Sequence, residues 1–317
     1  MNEKDIIRKY FTKQLNDQSV IEGIGDDAAI VKASSGHELV ITTDMMVEGR
    51  HFTRYAPAFG VGYKLMASNL SDLAAMGASP RWATLNITLS TLNQSWLEEF
   101  SNGLLTCAKK HNVTLIGGDT TRGNQLNVAI QLIGEVPKGK AMLRSGAKAD
   151  DRVFVSGAIG NAAAALDFLR NHDFSYNELT EKQFSALYMP PSRVELGMEL
   201  REIANACIDI SDGLLNELEI ICDASKAGAL LQLDCVPHSQ NVNIMSAITG
   251  GEDYELLFTV PEDSVNHIDL LSAKYYCELS EIGRITNTMQ VELYQGNQIM
   301  PHPKSSGYDH FNKIVDE

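Results

Sequence analysis

Six aspartates fall where apolar, strand-like runs give way to glycine, serine or threonine. They are Asp26 and Asp27 in Gly-Ile-Gly-Asp-Asp, Asp44 in Ile-Thr-Thr-Asp, Asp119 in Ile-Gly-Gly-Asp-Thr-Thr-Arg-Gly, and Asp209 and Asp212 in Ile-Asp-Ile-Ser-Asp-Gly. A seventh, Asp72, lies inside an apolar helical stretch. Carboxylates that converge repel one another unless a cation lies among them, and for oxygen ligands that cation is most often magnesium or calcium. The pattern points to several metal ions holding a highly anionic substrate. A formal net charge of -15 argues against binding to nucleic acid or to an anionic membrane surface. It also sets a problem for an enzyme of phosphates, which bound metal ions resolve by inverting the local field.

Each motif has a plainer explanation beside the chemical one. Gly23-Ile24-Gly25-Asp26-Asp27-Ala28 superficially matches a dinucleotide fingerprint, but a strand-like segment follows it instead of a helix. A polar turn needs the same glycines, and two adjacent acids suit a metal loop better than a pyrophosphate cradle. Thr42-Thr43-Asp44 ends an apolar run, where α/β proteins place ligands, or is a simple strand-end turn. Asp72 shares a helix face with Asn69, Ser68 and Leu65. It is either half-exposed and inert or held inward by a cation. In Ile116–Gly123, Asp119 is a candidate metal ligand and Arg122 a phosphate clamp; a hairpin turn with an internal Asp–Arg pair explains the segment equally. Ser211 and Asp212 would also cap the helix that follows them, a role that leaves Asp209 unexplained. Ser156-Gly157-Ala158-Ile159-Gly160-Asn161 joins a strand to a helix whose first amides could hold a phosphate, or is a tight turn. No Gly-Lys-Ser or Gly-Lys-Thr of a Walker loop occurs, and His-Arg-Asp and Asp-Phe-Gly are absent.

The elements that must position these residues read as mixed α/β. Helical spacing covers residues 3–17 through Ile6, Ile7, Tyr10, Phe11 and Leu15. Strand-like runs follow at Ala28–Lys32 and Leu39–Thr43, a helix over roughly Gly62–Met76, and an alternating strand at Trp82–Leu89. Ser95-x-x-Glu98 reads as a capping box opening a helix toward His111. Strands at Val113–Ile116 and Leu126–Val136 complete a strand-rich first domain, 1–136. A polar connector spans 137–149, and the second domain, 150–317, alternates strands and helices. Five scattered cysteines without Cys-x-x-Cys spacing read as reduced thiols of a cytoplasmic protein. The start lacks the apolar core of a signal peptide, and no apolar run reaches membrane-spanning length.

Taken in order, Gly25-Asp26-Asp27-Ala28, Thr43-Asp44, Asn69-Leu70-Ser71-Asp72-Leu73-Ala74-Ala75-Met76-Gly77-Ala78, Gly117-Gly118-Asp119-Thr120, Arg144-Ser145-Gly146-Ala147, Ile210-Ser211-Asp212-Gly213 and Gly250-Gly251-Glu252-Asp253-Tyr254-Glu255-Leu256 resemble the thiamine-monophosphate kinase family. That family belongs to the aminoimidazole-ribonucleotide-synthetase superfamily of ATP-dependent enzymes. The resemblance runs from about Gly23 to Phe311, and the Gly-Gly-Glu-Asp-Tyr-Glu-Leu stretch is its most specific part.

The resemblance implies transfer of the γ-phosphoryl group of ATP to thiamine monophosphate, giving thiamine diphosphate. By family analogy Asp27, Thr42, Thr43, Asp44, Asp72, Asp119, Asp209 and Asp212 would hold several magnesium ions. Gly118, Asp119, Arg144 and Ser211 would contact ATP. His51 and Glu252 match family positions on the thiamine substrate. Many relatives carry an aromatic residue two positions before the C-terminal Gly-Tyr-Asp-His-Phe; here Ser305 stands there, followed by Ser306, which leaves Tyr308 as the candidate to stack on the pyrimidine. The family also implies a homodimer, with a β-barrel built across the interface by the first domain. The acceptor phosphate is already ionised near neutral pH, so no general base is expected.

Three rival functions have sequence tests. A sibling enzyme that activates selenide would carry a reactive Cys in the N-terminal region, and none precedes Cys107. A non-catalytic paralogue predicts missing metal ligands, yet every acidic motif is intact. A calcium module would need EF-hand spacing, which is absent.

Overall fold

The fold is taken from a computed structural model that describes residues 2–12 and 17–308. Leu15, grouped above with the first helix, and Asp309, His310 and Phe311 of the C-terminal motif lie outside the described residues. The chain forms two compact units, Met1–Ala141 with His172–Met198, and Met142–Asn171 with Glu199–Glu317. The polar connector thus marks one crossing, and residues 172–198, read above with the second half, belong with the first unit.

The first unit opens with α1 (Glu3–Ile6), which runs on as a π-helical turn burying Tyr10 and Phe11. A small antiparallel ribbon follows, β1 (Val20–Glu22) with β2 (Ile30–Val31), enclosing the Gly23–Asp27 turn. Next come β3 (His37–Val47), α2 (Ala58–Ala75), β4 (Ser79–Leu89), α3 (Gln94–Lys110), β5 (Thr114–Arg122) and β6 (Asn127–Pro137). The sheet order is β3-β6-β4-β5, with β4 and β5 parallel and the other pairs antiparallel. β5 and β6 therefore do not pair, so Asp119 and Arg122 do not sit in a hairpin. β3 and β5 also run past the expected ends, because register with β6 and β4 continues through Asp44 and Asp119.

Period-two alternation gives this sheet one covered face, with Val128, Ile130 and Leu132 of β6 and Leu85, Ile87 and Leu89 of β4 buried. α2 begins at Ala58, before the apolar run read above, and nearly all its residues are buried. It packs on α3 through small residues: a Cβ on Gly62 would run into the Phe100 carbonyl oxygen, and one on Gly103 into that of Phe59. Asn93 caps α3 by accepting from the Trp96 amide at 3.1 Å. Ser95, the expected cap, instead donates to Asn93 at 3.2 Å, because the helix starts two residues earlier than Ser95 implies.

The second unit begins with β7 (Arg152–Ser156) and α4 (Asn161–Asn171). The chain returns to the first unit as α5 (Glu181–Tyr188) and α6 (Val194–Leu200), with the division falling inside α6. It then supplies β8 (Ala206–Asp209), α7 (Leu214–Ser225), β9 (Gly228–Gln232), α8 (Ile244–Thr249) and β10 (Leu256–Val260). α9 (Ile268–Tyr275), β11 (Leu279–Thr286), β12 (Val291–Gln295) and β13 (Gln298–Met300) follow. The seven strands lie in the order β13-β12-β9-β11-β7-β10-β8, and only β9 with β12 is parallel. Alternation of strands and helices in sequence was legible, but it fixed neither neighbour nor direction. The arrangement is mixed α+β, unlike the parallel sheets that such alternation usually builds. Among the described residues no helix is long and apolar enough to cross a membrane.

The α2–α3 contact yields a stability test. Gly103→Val forces a side chain against helix backbone, so it should destabilise the protein by about 3 kcal/mol, at the upper end of overpacking costs. Urea unfolding followed by circular dichroism measures it. An unchanged midpoint would mean the helices do not approach as closely as described.

Candidate active site

In the first unit, alternation along β3 sends Thr42 and Asp44 to the side covered by α2. There they meet two α2 residues one turn apart, Asn69 and Asp72. The Thr42 hydroxyl donates to Asp72 Oδ2 at 2.5 Å. Asn69 Nδ2 donates to Asp44 Oδ2 at 3.3 Å and to the Leu65 carbonyl at 3.0 Å. Asn69 is fully buried, and its Oδ1 has no hydrogen-bond partner. Burial raises the Asp44 carboxyl above its ordinary range, and the Ser68 hydroxyl offsets only part of that. A carboxylate destabilised by burial beside an unpaired amide oxygen is an all-oxygen donor set suited to a hard cation.

Other residues of the expected set stand apart from this pair. The Thr43 hydroxyl lies on the far side of β3 and donates to the Ile130 carbonyl at 3.0 Å. Asp26 and Asp27 are exposed in their turn, where Asp26 accepts from the Asp27 amide at 2.7 Å. Asp119 is exposed on β5, beside Asn86 of β4. Gly118 before it has φ of +144°, and a Cβ there would collide with the Leu85 carbonyl oxygen, so only glycine fits. Arg122 closes β5 and is exposed. Among the described residues no three Asp, Glu, His or Cys side chains converge closely enough to hold a metal ion. His51 is half-buried; its Nδ1 accepts from the Val47 amide at 3.0 Å, which puts the neutral ring's proton on Nε2.

The second unit gathers its residues on loops leaving β8 and entering β10. Asp209 is buried at the end of β8, in register with Leu256. Burial, helped by the Asp209 charge, pushes the Cys207 thiol up. Beyond it, Gly213 is the N-cap of α7 and makes no side-chain cap, so Ser211 and Asp212 do not close the helix as expected. Instead Glu217, buried in the first turn, accepts from the Asp212 amide at 3.2 Å. Burial pushes the Glu217 carboxyl up, against that amide and Asn216, which favour its ionised form. The C-terminal segment docks on the same turn: the Tyr308 amide donates to the Asp212 carbonyl at 3.0 Å, and Ser305 donates to the Gly307 carbonyl at 2.7 Å. Arg144 is exposed in a loop held by Ser225, whose hydroxyl accepts from the Gly146 and Ala147 amides at 3.2 and 3.1 Å.

The Gly250–Leu256 stretch alternates in the same way as a strand. Asp253 and Glu255 are buried, while Glu252 and Tyr254 are half-exposed. Both Asp253 oxygens accept from the Gly160 amide at 2.9 Å, and Asn161 and Ala162 amides add to this. The α4 N-terminus, considered above for a phosphate, is thus filled by the protein's own carboxylate. Glu255 accepts from the Ser156 hydroxyl, which in turn accepts from the Leu256 amide at 2.8 Å. Asn69, Glu217, Asp253 and Glu255 were not picked out from the sequence as site residues. The signal available was a polar residue at each inward position of an apolar run.

The AIR synthase related protein N-terminal domain matches residues 25–136 and the AIR synthase related protein C-terminal domain residues 148–295. A thiamine-monophosphate kinase of Buchnera aphidicola is 40% identical over 320 residues, covering 98% of this chain and 99% of its own. The crystal structure of thiamine-monophosphate kinase from Stenotrophomonas maltophilia K279a is 37% identical with a TM-score of 0.83, covering 88% of this chain and 92% of that one. AaThiL complexed with AMPPCP and TMP is 29% identical with a TM-score of 0.77, covering 91% and 92%.

The buried acids give a pH dependence. Burial pushes Asp253 up to about 7 and raises Asp44 and Glu217 as well. The native state then binds more protons than the unfolded chain, whose carboxyls titrate near about 4. Their contribution is fully present below that value and is lost as pH rises toward about 7. His111, held below its ordinary 6.5 by burial, contributes the opposite slope. The informative comparison is therefore metal-free wild type against Asp253→Asn, by urea unfolding between about pH 5 and about pH 8. The variant should lose less stability on going to high pH; equal losses would remove Asp253 from the account.

Proposed function

The chain belongs to the thiamine-monophosphate kinase family, and we propose that it transfers the γ-phosphoryl group of ATP to thiamine monophosphate, giving thiamine diphosphate. The observation that carries this reading is the pair of facing elements in which Asp44 and Asp72 are held inward by Asn69 and Thr42. A site that binds two polyanions with carboxylates needs cations between them, and these oxygens fit magnesium. Asp27, Thr42, Thr43, Asp44, Asp72, Asp119, Asp209 and Asp212 would hold the ions. When bound, magnesium neutralises phosphate charge and polarises the transferred group.

The remaining roles fall to neutral and cationic groups of the chain. Arg144, Ser211 and the backbone at Gly118 and Asp119 would bind ATP. His51, Glu252, Ser305 and Tyr308 would contact the thiamine substrate. For His51, the fixed Nδ1 acceptor leaves Nε2–H as a donor. Tyr308 lies on the Asp212 turn, which supports its role in place of the missing aromatic residue at Ser305. The acceptor phosphate carries about -1.5 to -2 charges at neutral pH, so it attacks without a general base. The five free cysteines suit a reducing compartment such as the cytoplasm.

A homodimer belongs to the same reading. β3 is an edge strand whose outer face exposes Leu39, Ile41 and Met45, the last two by 58% and 60%. An edge strand with such a face is covered in functioning proteins, and a second copy closing a barrel would cover it.

Two experiments test these proposals. Purified protein with ATP, magnesium and thiamine monophosphate should yield ADP and thiamine diphosphate in equal amounts by chromatography. Asp44→Asn and Asp212→Asn should each lower kcat/KM by about 100-fold or more, the usual cost of losing one transition-state electrostatic contact. ATP consumption without thiamine diphosphate would overturn the reading. Separately, Ile41→Glu with Met45→Glu should shift the protein from dimer to monomer in sedimentation; a dimer that survives both would move the interface elsewhere.

A further inference from the structure

We infer that Asp253 is a positioning residue that sets Glu252 and Ser211 together through the backbone joining them. The inference rests on the proposed function, which gives Glu252 to the thiamine substrate and Ser211 to ATP. Two loops of the second unit are tied by a short ladder. The Glu252 amide donates to the Ser211 carbonyl at 2.7 Å, the Tyr254 amide to the Ile210 carbonyl at 2.8 Å, and the Ile210 amide to the Glu255 carbonyl at 2.8 Å. Gly251 lies so close to the Ser211 carbonyl that no side chain fits between them. Any displacement of residues 251–254 is therefore passed to 210–211.

The ladder holds an unfavourable backbone. Glu252 has φ of +70° and Tyr254 of +52°, left-handed conformations that are uncommon outside glycine. Such residues persist where their surroundings over-determine them. Asp253 lies between the two, only 6% exposed, and its carboxylate grips the Gly160 amide with both oxygens at 2.9 Å. Gly160 itself has φ of +75° and opens α4. The grip fastens the centre of the loop to a helix end, while Glu255 and Ser156 fasten its exit into β10. With Asp253 inward, Glu252 must turn to the other side. Asp253 touches no reacting atom in this account; it fixes the direction in which its neighbour points.

A double-mutant cycle separates this role from simple support of the fold. Asp253→Ala and Asp253→Asn are made in wild type and in Glu252→Gln, and KM and kcat for thiamine monophosphate are measured per folded molecule. Asp253→Ala should raise KM by about tenfold in wild type but by less than about threefold in Glu252→Gln, because coupled residues are non-additive. Asp253→Asn, which keeps an acceptor for the Gly160 amide, should recover much of the loss. Hydrogen exchange read by mass spectrometry should speed up in residues 250–255 and 210–213 together. An equal rise of KM in both backgrounds, or faster exchange confined to 250–255, overturns the inference. If Asp253→Ala does not fold, Asp253→Ser, whose shorter side chain no longer reaches the Gly160 amide with two oxygens, carries both measurements. Wild type that makes no thiamine diphosphate would sink the proposed function alone, and the exchange result would still decide whether Asp253 ties the loops.

Discussion

Repulsion between like charges is the constraint around which this chain is arranged. It carries a net charge of -15 and still turns acids inward on both units. In the first unit Asp44 and Asp72 are met by an amide and a hydroxyl, Asn69 and Thr42. For Asp44 that neutral amide satisfies hydrogen-bonding capacity without cancelling charge, so this carboxylate keeps its appetite for a cation. The raised Asp44 carboxyl and the orphaned Asn69 oxygen are two signs of the same incomplete neutralisation. A lysine or arginine in either place would have stabilised the protein and spoiled the donor set.

The sequence made the acids legible because each interrupts an apolar run. Thr42, Asp44 and Asp72 were picked out this way, and the spacing of Asn69 and Asp72 on one helix face matches their meeting with β3. What it could not show was which side of a strand each residue takes when the strand continues. Thr42 and Thr43 look alike in sequence, yet period two sends one hydroxyl to Asp72 and the other to Ile130. The strand-like run stops at Thr43, whereas register with β6 continues to Val47. Strand order was also hidden: β5 and β6 adjoin in sequence but lie apart, and the second sheet pairs its strands mostly antiparallel. Pairing depends on contacts far apart in the chain, which local pattern does not encode.

The second unit shows why Asp253 and Glu255 were missed. In Gly-Gly-Glu-Asp-Tyr-Glu-Leu four polar or aromatic residues stand in a row, and the eye goes to the substrate-like acid, Glu252. Only the fold separates displayed from supporting side chains, with Glu252 and Tyr254 half-exposed and Asp253 and Glu255 buried. The buried pair is spent on local backbone and a hydroxyl. Glu217 serves the neighbouring turn in the same manner, holding the Asp212 amide where a conventional helix cap would have used Ser211 or Asp212 itself.

β3 shows how one strand serves two demands that conflict in chemistry. Its inward positions include Thr42 and Asp44, and its outward positions include Leu39, Ile41 and Met45. A metal-binding carboxylate wants polar surroundings, whereas a docking face wants an apolar surface. Alternation places them on opposite sides of a single layer of backbone, some ångströms apart yet in different environments. A one-residue slip against β6 would exchange the two sets, burying leucine and methionine against Asp72 of α2 and turning Asp44 outward. The eleven paired residues between β3 and β6 make such a slip costly. In the proposed dimer the second copy would stiffen this same strand from its outer side, so association and the placement of Asp44 depend on one register.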